Sequence, residues 1–192
     1  ALRIAVVYLG ARVITTAFLV LAADLSTSLS RFGPDPGLAD FVLGWDAQWY
    51  WLVAVEGYPT TLPVTAAGTV AENAWAFMPG FAYLAQAVGL IFGSWGIGAF
   101  LVSFVSGYLA CLALHRLLRD RIGASAALWA VVFFAVGPVA AMFQVGYAES
   151  LFLLLLFLAL GAVQRRAYAW LYVLIPVMAF TRPGILAFAL FL

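Results

Sequence analysis

Lysine is absent from this chain of 192 residues, and charge of either sign is scarce, at 9% of the total. Soluble globular domains carry about 25% charged residues and about 45–50% apolar ones. A water-exposed surface of ordinary composition is therefore excluded. Cysteine occurs once, at Cys111 in an apolar run, and histidine once, at His115. These counts rule out a disulfide framework and a CxxC metal site. A zinc cage, any other metal centre and any cofactor are not expected. The nine basic residues are all arginines, and they form no cluster large enough for nucleic acid, which is excluded as a partner. Strict apolar–polar alternation is also missing, which counts against an outer-membrane barrel.

What is present is apolar length. The chain is 67% hydrophobic with a mean hydropathy of +1.10, the composition of an integral membrane protein. We expect an all-α, polytopic transmembrane helical fold in contact with membrane lipids, with about six to seven membrane segments. Arginine without lysine, together with abundant Ala and Leu, is the usage of a GC-rich bacterial genome, so a bacterial plasma membrane is the expected location, with the endoplasmic reticulum membrane as the alternative. The sequence begins without Met and stops inside the apolar run ILAFALFL, so residues 1–192 are expected to be a single membrane-embedded module, the N-terminal part of something longer.

Residues 4–23 are long enough to cross a core of about 30 Å, and Arg3 and Arg12 bias the start of that span toward the cytoplasm. An outer loop over 24–75 follows and holds six of the eight acids: Asp24, Asp35, Asp40, Asp46, Glu56 and Glu72. Within it, FGPDPG and the Gly/Pro/Thr-rich stretch 57–68 are turn material. Between them, 38–56 is expected as one interfacial helix, with Trp and Tyr at headgroup level. Further apolar segments are expected at 77–92, 98–118, 124–143 (interrupted by Gly137-Pro138), 151–163 and 168–180. Placing Arg116, Arg119, Arg121, Arg165 and Arg166 in the cytoplasm puts the acidic loop, GYAES and TRPG on the opposite side. That orientation requires 77–92 to dip in and return, or to be otherwise irregular.

Three stretches carry candidate chemistry. GWDAQWYWLVAVEGYP sets Asp46 among Trp45, Trp49, Tyr50 and Trp51. At about 100° per residue, Asp46, Tyr50, Val53 and Gly57 share one helical face, and Trp45, Trp49, Leu52 and Glu56 the adjacent one. Asp46 is either a general base at the membrane surface or a solvated acid on an aromatic belt helix. QVGYAES supplies Gln144, Tyr147, Glu149 and Ser150. Glu149 is a functional acid beside an apolar span, a favourable charge in the first turn of a helix, or both. Arg182, in FTRPG, lies between apolar runs, where an arginine costs about 2.5–3.5 kcal/mol to insert. It either grips a phosphate with its planar fork or snorkels to the interface. AFMPGF, 76–81, places Pro79 where a helix opens.

The order of these motifs (first span, WDAQWYWLVAVEGYP, AFMPGF, GYAESLFLLL, FTRPG) resembles the PIG-V family of GPI mannosyltransferases and its bacterial relatives, in the GT-C class of lipid-linked-sugar glycosyltransferases. The resemblance runs from about residue 10 to the end and departs at Met78, where relatives often have another aromatic. It implies a GT-C-like N-terminal module, a polyprenyl-phosphate-linked mannose donor, a lipid-linked acceptor and transfer on the non-cytoplasmic face. Asp46 matches the acid of the family's first outer loop, Glu149 that of its E-S-like element, and Arg182 the arginine of its R-P-x-G-like element. The expected activity is inverting hexosyl transfer with Asp46 as catalytic base. Glu149, Arg182, Tyr147, Gln144, Trp45 and Tyr50 are expected at the substrate. Two rivals differ in class: a lipid or sugar transporter (flippase) built on helices broken near Pro138 and Pro183, and a non-catalytic membrane scaffold.

Overall fold

The computed structural model describes residues 1–191 and is helical, with no β-strand among them. Two helices are long and apolar enough to cross a membrane: α1, Leu2–Asp24, and α5, Trp95–Ile122. Between them lie α2 (Leu38–Val42), α3 (Asp46–Val55) and α4 (Pro79–Phe92); after them come α6 (Ala124–Val136), α7 (Glu149–Gln164), α8 (Leu171–Ala179) and α9 (Ile185–Phe191). The first of the long helices has no polar face. It turns Leu2, Val6, Leu9, Val13 and Phe18 outward, and a helix that is apolar all round is not at home on a wet surface.

The centre of the fold is α5, against which α1, α4, α6 and α7 all pack. Its 28 residues extend about 42 Å at 1.5 Å per residue. That exceeds a bilayer core of about 30 Å, and the final turns carry Arg116, Arg119 and Arg121. Helix α4 folds back along the first half of α5 through Gly93 and Ser94. Small residues (Ala82, Ala85 and Gly89 facing Gly98 and Ala99) let the two backbones meet, the kind of contact that holds helices together where no hydrophobic drive separates them from lipid. With 14 residues, α4 is about 21 Å long, too short for a full crossing. Both arginine clusters gather at one end of the bundle: Arg116 and Arg165 line the same cleft between α5 and α7.

Two sequence expectations are corrected. The single helix expected over 38–56 is broken into α2 and α3 at Leu43–Trp45. Gly44 lies against the Phe32 ring, and Trp45 takes a positive φ of 48°, which a non-glycine residue adopts only when its surroundings hold it there. Here the Trp45 ring is packed edge-on against Phe32 at 4.8 Å and Phe41 at 5.7 Å. The second correction concerns Arg12, expected as an orientation signal. It is 3% exposed, inside the bundle. Helix α6 ends where Gly137-Pro138 cannot continue it, and the Arg12 guanidinium takes up the freed carbonyls. Its Nη2 donates to Ala135 O at 2.5 Å and its Nη1 to Ala140 O, while the rings of Tyr8 and Phe143 lie 5.0 and 5.1 Å from the cation.

Candidate active site

Four separated segments meet near the start of α7, the end opposite the arginine clusters. Asp46 opens α3 and is half-buried; one turn later Tyr50 is buried, its ring edge-on to Phe81 at 5.0 Å and Phe77 at 5.1 Å. Glu149 opens α7, a negative charge in the first turn of a helix as the helical expectation had it. Arg182 follows α8 and forms an ion pair with Glu149. The two side chains are 37% and 22% exposed, so the pair is sheltered and still reachable.

Two glycines explain why these segments can meet. Gly80, in the first turn of α4, donates its N–H to Phe180 O at 2.7 Å. A Cβ there would stand 2.6 Å from the same oxygen, so AFMPGF touches FTRPG through a position that only glycine fits. Gly146 hydrogen-bonds Val42 O at 3.3 Å and lies against Ala47 and Ala99, seating the QVGYAES loop on α2, α3 and α5. Ser103 of α5 fixes the next residue by donating to Tyr147 O at 3.0 Å.

The electrostatics bind the set together. Burial pushes the Tyr50 hydroxyl's pKa up, the charges of Glu149 and Asp46 push it further, and Arg182 opposes them. Tyr147 is pushed up to about 12, first by burial and then by the Asp46 charge, against a hydrogen bond from the Asp46 backbone; Glu149 and Arg31 also act on it. For Arg182, burial alone would lower the pKa. The hydrogen bond and charge of Glu149, with Tyr50 and Asp46 behind them, outweigh it and raise it. Asp46 therefore acts on Tyr50, Tyr147 and Arg182 alike. No hydrogen bond or ion pair engages its carboxylate among the described residues, and Glu149 Oε2 is buried with no hydrogen-bond partner. A buried oxygen without a donor is costly, which makes Glu149 Oε2 an unmet acceptor beside the ion pair.

Of the expected residues, Asp46, Glu149, Arg182, Tyr50 and Tyr147 come together. Gln144 and Trp45 are committed elsewhere. Gln144 accepts from Thr15 and donates to Thr16 at 2.6 Å, bracing α1; Trp45 belongs to the Phe32–Phe41 cluster that holds the α2–α3 break. One residue was missed. Arg31, in the turn-rich loop, has only a 3.4 Å hydrogen bond to Gln48, and its charge reaches Tyr147. Among the described residues no group of three or more His, Cys, Asp or Glu side chains is placed to hold a metal ion.

The set thus offers a carboxylate free to accept a proton, a guanidinium able to balance an anion, and a second carboxylate oxygen with no donor of its own. No family model, no curated protein and no solved structure matches this chain.

Proposed function

We propose that the chain is the N-terminal module of a multi-pass membrane glycosyltransferase of the GT-C class. It moves mannose from a polyprenyl-phosphate carrier to a hydroxyl of a lipid-linked acceptor on the non-cytoplasmic face, in a bacterial plasma membrane. The observation that carries this reading is the sheltered Glu149–Arg182 pair beside the unengaged carboxylate of Asp46. The order of motifs that resembles the PIG-V family supports it, as do the two membrane-length helices and the gathering of the basic clusters at the far end of the bundle, where cytoplasmic arginines belong.

The reaction follows from the parts. The acceptor hydroxyl gives its proton to Asp46 as its oxygen bonds to the anomeric carbon, and the bond from that carbon to the carrier phosphate breaks on the opposite face, inverting the centre. General base catalysis of this kind contributes typically 10²–10⁴-fold. Arg182 balances the charge that develops on the departing phosphate, a role worth several kcal/mol when the donor group is pre-positioned. Glu149 Oε1 aims the guanidinium. A transporter draws less support from the break at Gly137-Pro138, because Arg12 fills the freed carbonyls that would otherwise face a substrate.

The test is full-length protein in lipid with labelled polyprenyl-phosphate mannose and extracted membrane glycolipids. Label should move to a glycolipid, and Asp46→Asn should cut transfer by about 10³-fold while donor binding persists. Full turnover by Asp46→Asn would sink the assignment of the base, and flux of the carrier without a covalent product would favour the transporter.

A further inference from the structure

The face of α3 next to Asp46 faces something else. Trp49, Leu52 and Glu56, one helical stripe, form a wall of a cavity of ≈ 330 Å³ closed on the other side by Tyr58, Glu72 and Asn73 of the following loop. Ligand clefts run from about 300 to 1,000 Å³, so this one suits a small ligand or one end of a larger one.

Its walls are fixed in advance. Tyr58 stacks on Trp75 at 4.4 Å and donates its hydroxyl to Phe77 O at 2.8 Å. The Trp75 indole donates to Pro59 O at 3.1 Å. Asn73 is engaged at both ends, giving to Ala71 O at 2.8 Å and accepting from the Trp75 backbone at 3.0 Å. Trp49 stacks on Phe77 at 5.9 Å, and Phe77 in turn meets Tyr50 of the active-site set. The aromatic and amide groups are thus occupied in shaping the cavity. Glu56 and Glu72 are not: neither carboxylate makes a hydrogen bond or ion pair among the described residues, and no arginine lines the space.

We propose that this cavity binds the glycan of the acceptor, as a neutral, hydroxyl-rich sugar ring. Rigid aromatic surfaces suit the C–H faces of a pyranose, and ionised carboxylates take hydroxyl donors in charge-assisted hydrogen bonds. Two uncompensated carboxylates repel phosphate or uronate. Asp46 and Glu56 stand at the two ends of one helix, ten residues and about 15 Å apart. An acceptor seated in the cavity and reacting at Asp46 therefore extends beyond a single ring. The subsite rests on the transferase reading for its role, though its binding of sugar can be measured without it.

The experiment is saturation-transfer NMR on the full-length protein in nanodiscs, with mannotriose as probe, a uronic acid trisaccharide as the anionic comparison and choline as the ammonium one. Mannotriose should bind saturably and the uronate should not. The exposed, isosteric double change Glu56→Gln with Glu72→Gln should weaken mannotriose about tenfold, and in the transfer assay the loss should fall on the acceptor KM. Absence of mannotriose binding overturns the proposal, as does choline displacing mannotriose at lower concentration, or an acceptor KM unmoved by the double change. Mannotriose binding in a protein that transfers no mannose upholds the subsite while removing the transferase reading.

Discussion

Arg12 and Arg182 are both drawn in from water, and their surroundings make them opposites. Arg12 meets no carboxylate among the described residues; two main-chain carbonyls at the α6 break and the faces of Tyr8 and Phe143 surround it. Thr15, Thr16 and Gln144 complete a network of closed side-chain bonds beside it. Arg182 faces Glu149, more than a third exposed, with a free oxygen on its partner and an unengaged Asp46 nearby. The first arrangement uses a cation to repair a broken helix, and the second, on the reading proposed above, keeps a cation within reach of a ligand's anion. Both leave a valence open, Arg12 at its buried Nε and the Arg182 pair at Glu149 Oε2. A charge in an apolar segment therefore has two meanings, separated by whether it is sealed inside the bundle or still reachable from outside.

Replacing each arginine by methionine should split these meanings. Arg12→Met leaves the Ala135 and Ala140 carbonyls buried without a donor. It should cost about 2–6 kcal/mol of stability, at about 1–3 kcal/mol for each orphaned group, read as a lowered midpoint in thermal unfolding in detergent. Arg12→Lys should recover little, because a single ammonium cannot bridge two carbonyls as the fork does. Arg182→Met should behave the other way. Its unfolding midpoint should fall less, because the 22% exposed Glu149 side chain can take water in place of its lost partner. The Kd for polyprenyl-phosphate mannose should rise about tenfold, the value of one charge-assisted contact. Equal thermal penalties for the two variants would erase the distinction.

The contrast also marks what the sequence made legible. The long spans at 4–23 and 98–118 were read to within a few residues of α1 and α5, because apolar length is a local property. The break at Gly137-Pro138 was visible for the same reason. The assignment of Asp46, Glu149 and Arg182 to one side followed from the arginine clusters, and the structure places them within electrostatic reach of each other. Arg12 was misread because its partners lie 123 and 128 residues away, beyond any periodicity or charge count. The split between α2 and α3 was hidden likewise, since the Phe32 ring that presses on Gly44 is no part of that helix's pattern. Gln144 looked like a site residue for its place in QVGYAES, yet Thr15 and Thr16 claim its amide. The cavity at the end of α3 was half-visible: the stripe of Trp49, Leu52 and Glu56 was legible, the loop that closes over it was not.

Tyr147 gives a smaller test on the open side of the comparison. Its pKa rises from an ordinary 10.0 to about 12 in the folded protein. A raised folded value means that the stabilisation is complete below pH 10 and is lost as pH climbs toward 12, because the unfolded chain ionises first. The unfolding midpoint should therefore fall across that window, and Tyr147→Phe should flatten part of the fall. Tyr50, raised by burial and by Glu149, and Tyr58, raised by burial, keep part of the remainder.

Arg31 should give the smallest effect, and it is the finest probe of how far the reachable side extends. It is exposed, its one hydrogen bond to Gln48 is long, and its charge nevertheless reaches Tyr147 beside Asp46. On the proposed reading Arg182 grips the phosphate, and the exposed Arg31 is a second cation placed to guide it toward the site. Exposed ion pairs are worth about 0.2–1 kcal/mol, so Arg31→Ala should raise the donor KM by about threefold at low salt. Screening shortens the reach of an exposed charge to about 8 Å at physiological ionic strength and about 3 Å at 1 M. The difference between wild type and variant should therefore vanish in high salt, whereas that for Arg182→Met should largely persist, because a sheltered pair is screened less. A salt-independent defect in Arg31→Ala would mean that this residue touches the substrate directly, and the boundary between the guiding and the gripping cation would have to be redrawn.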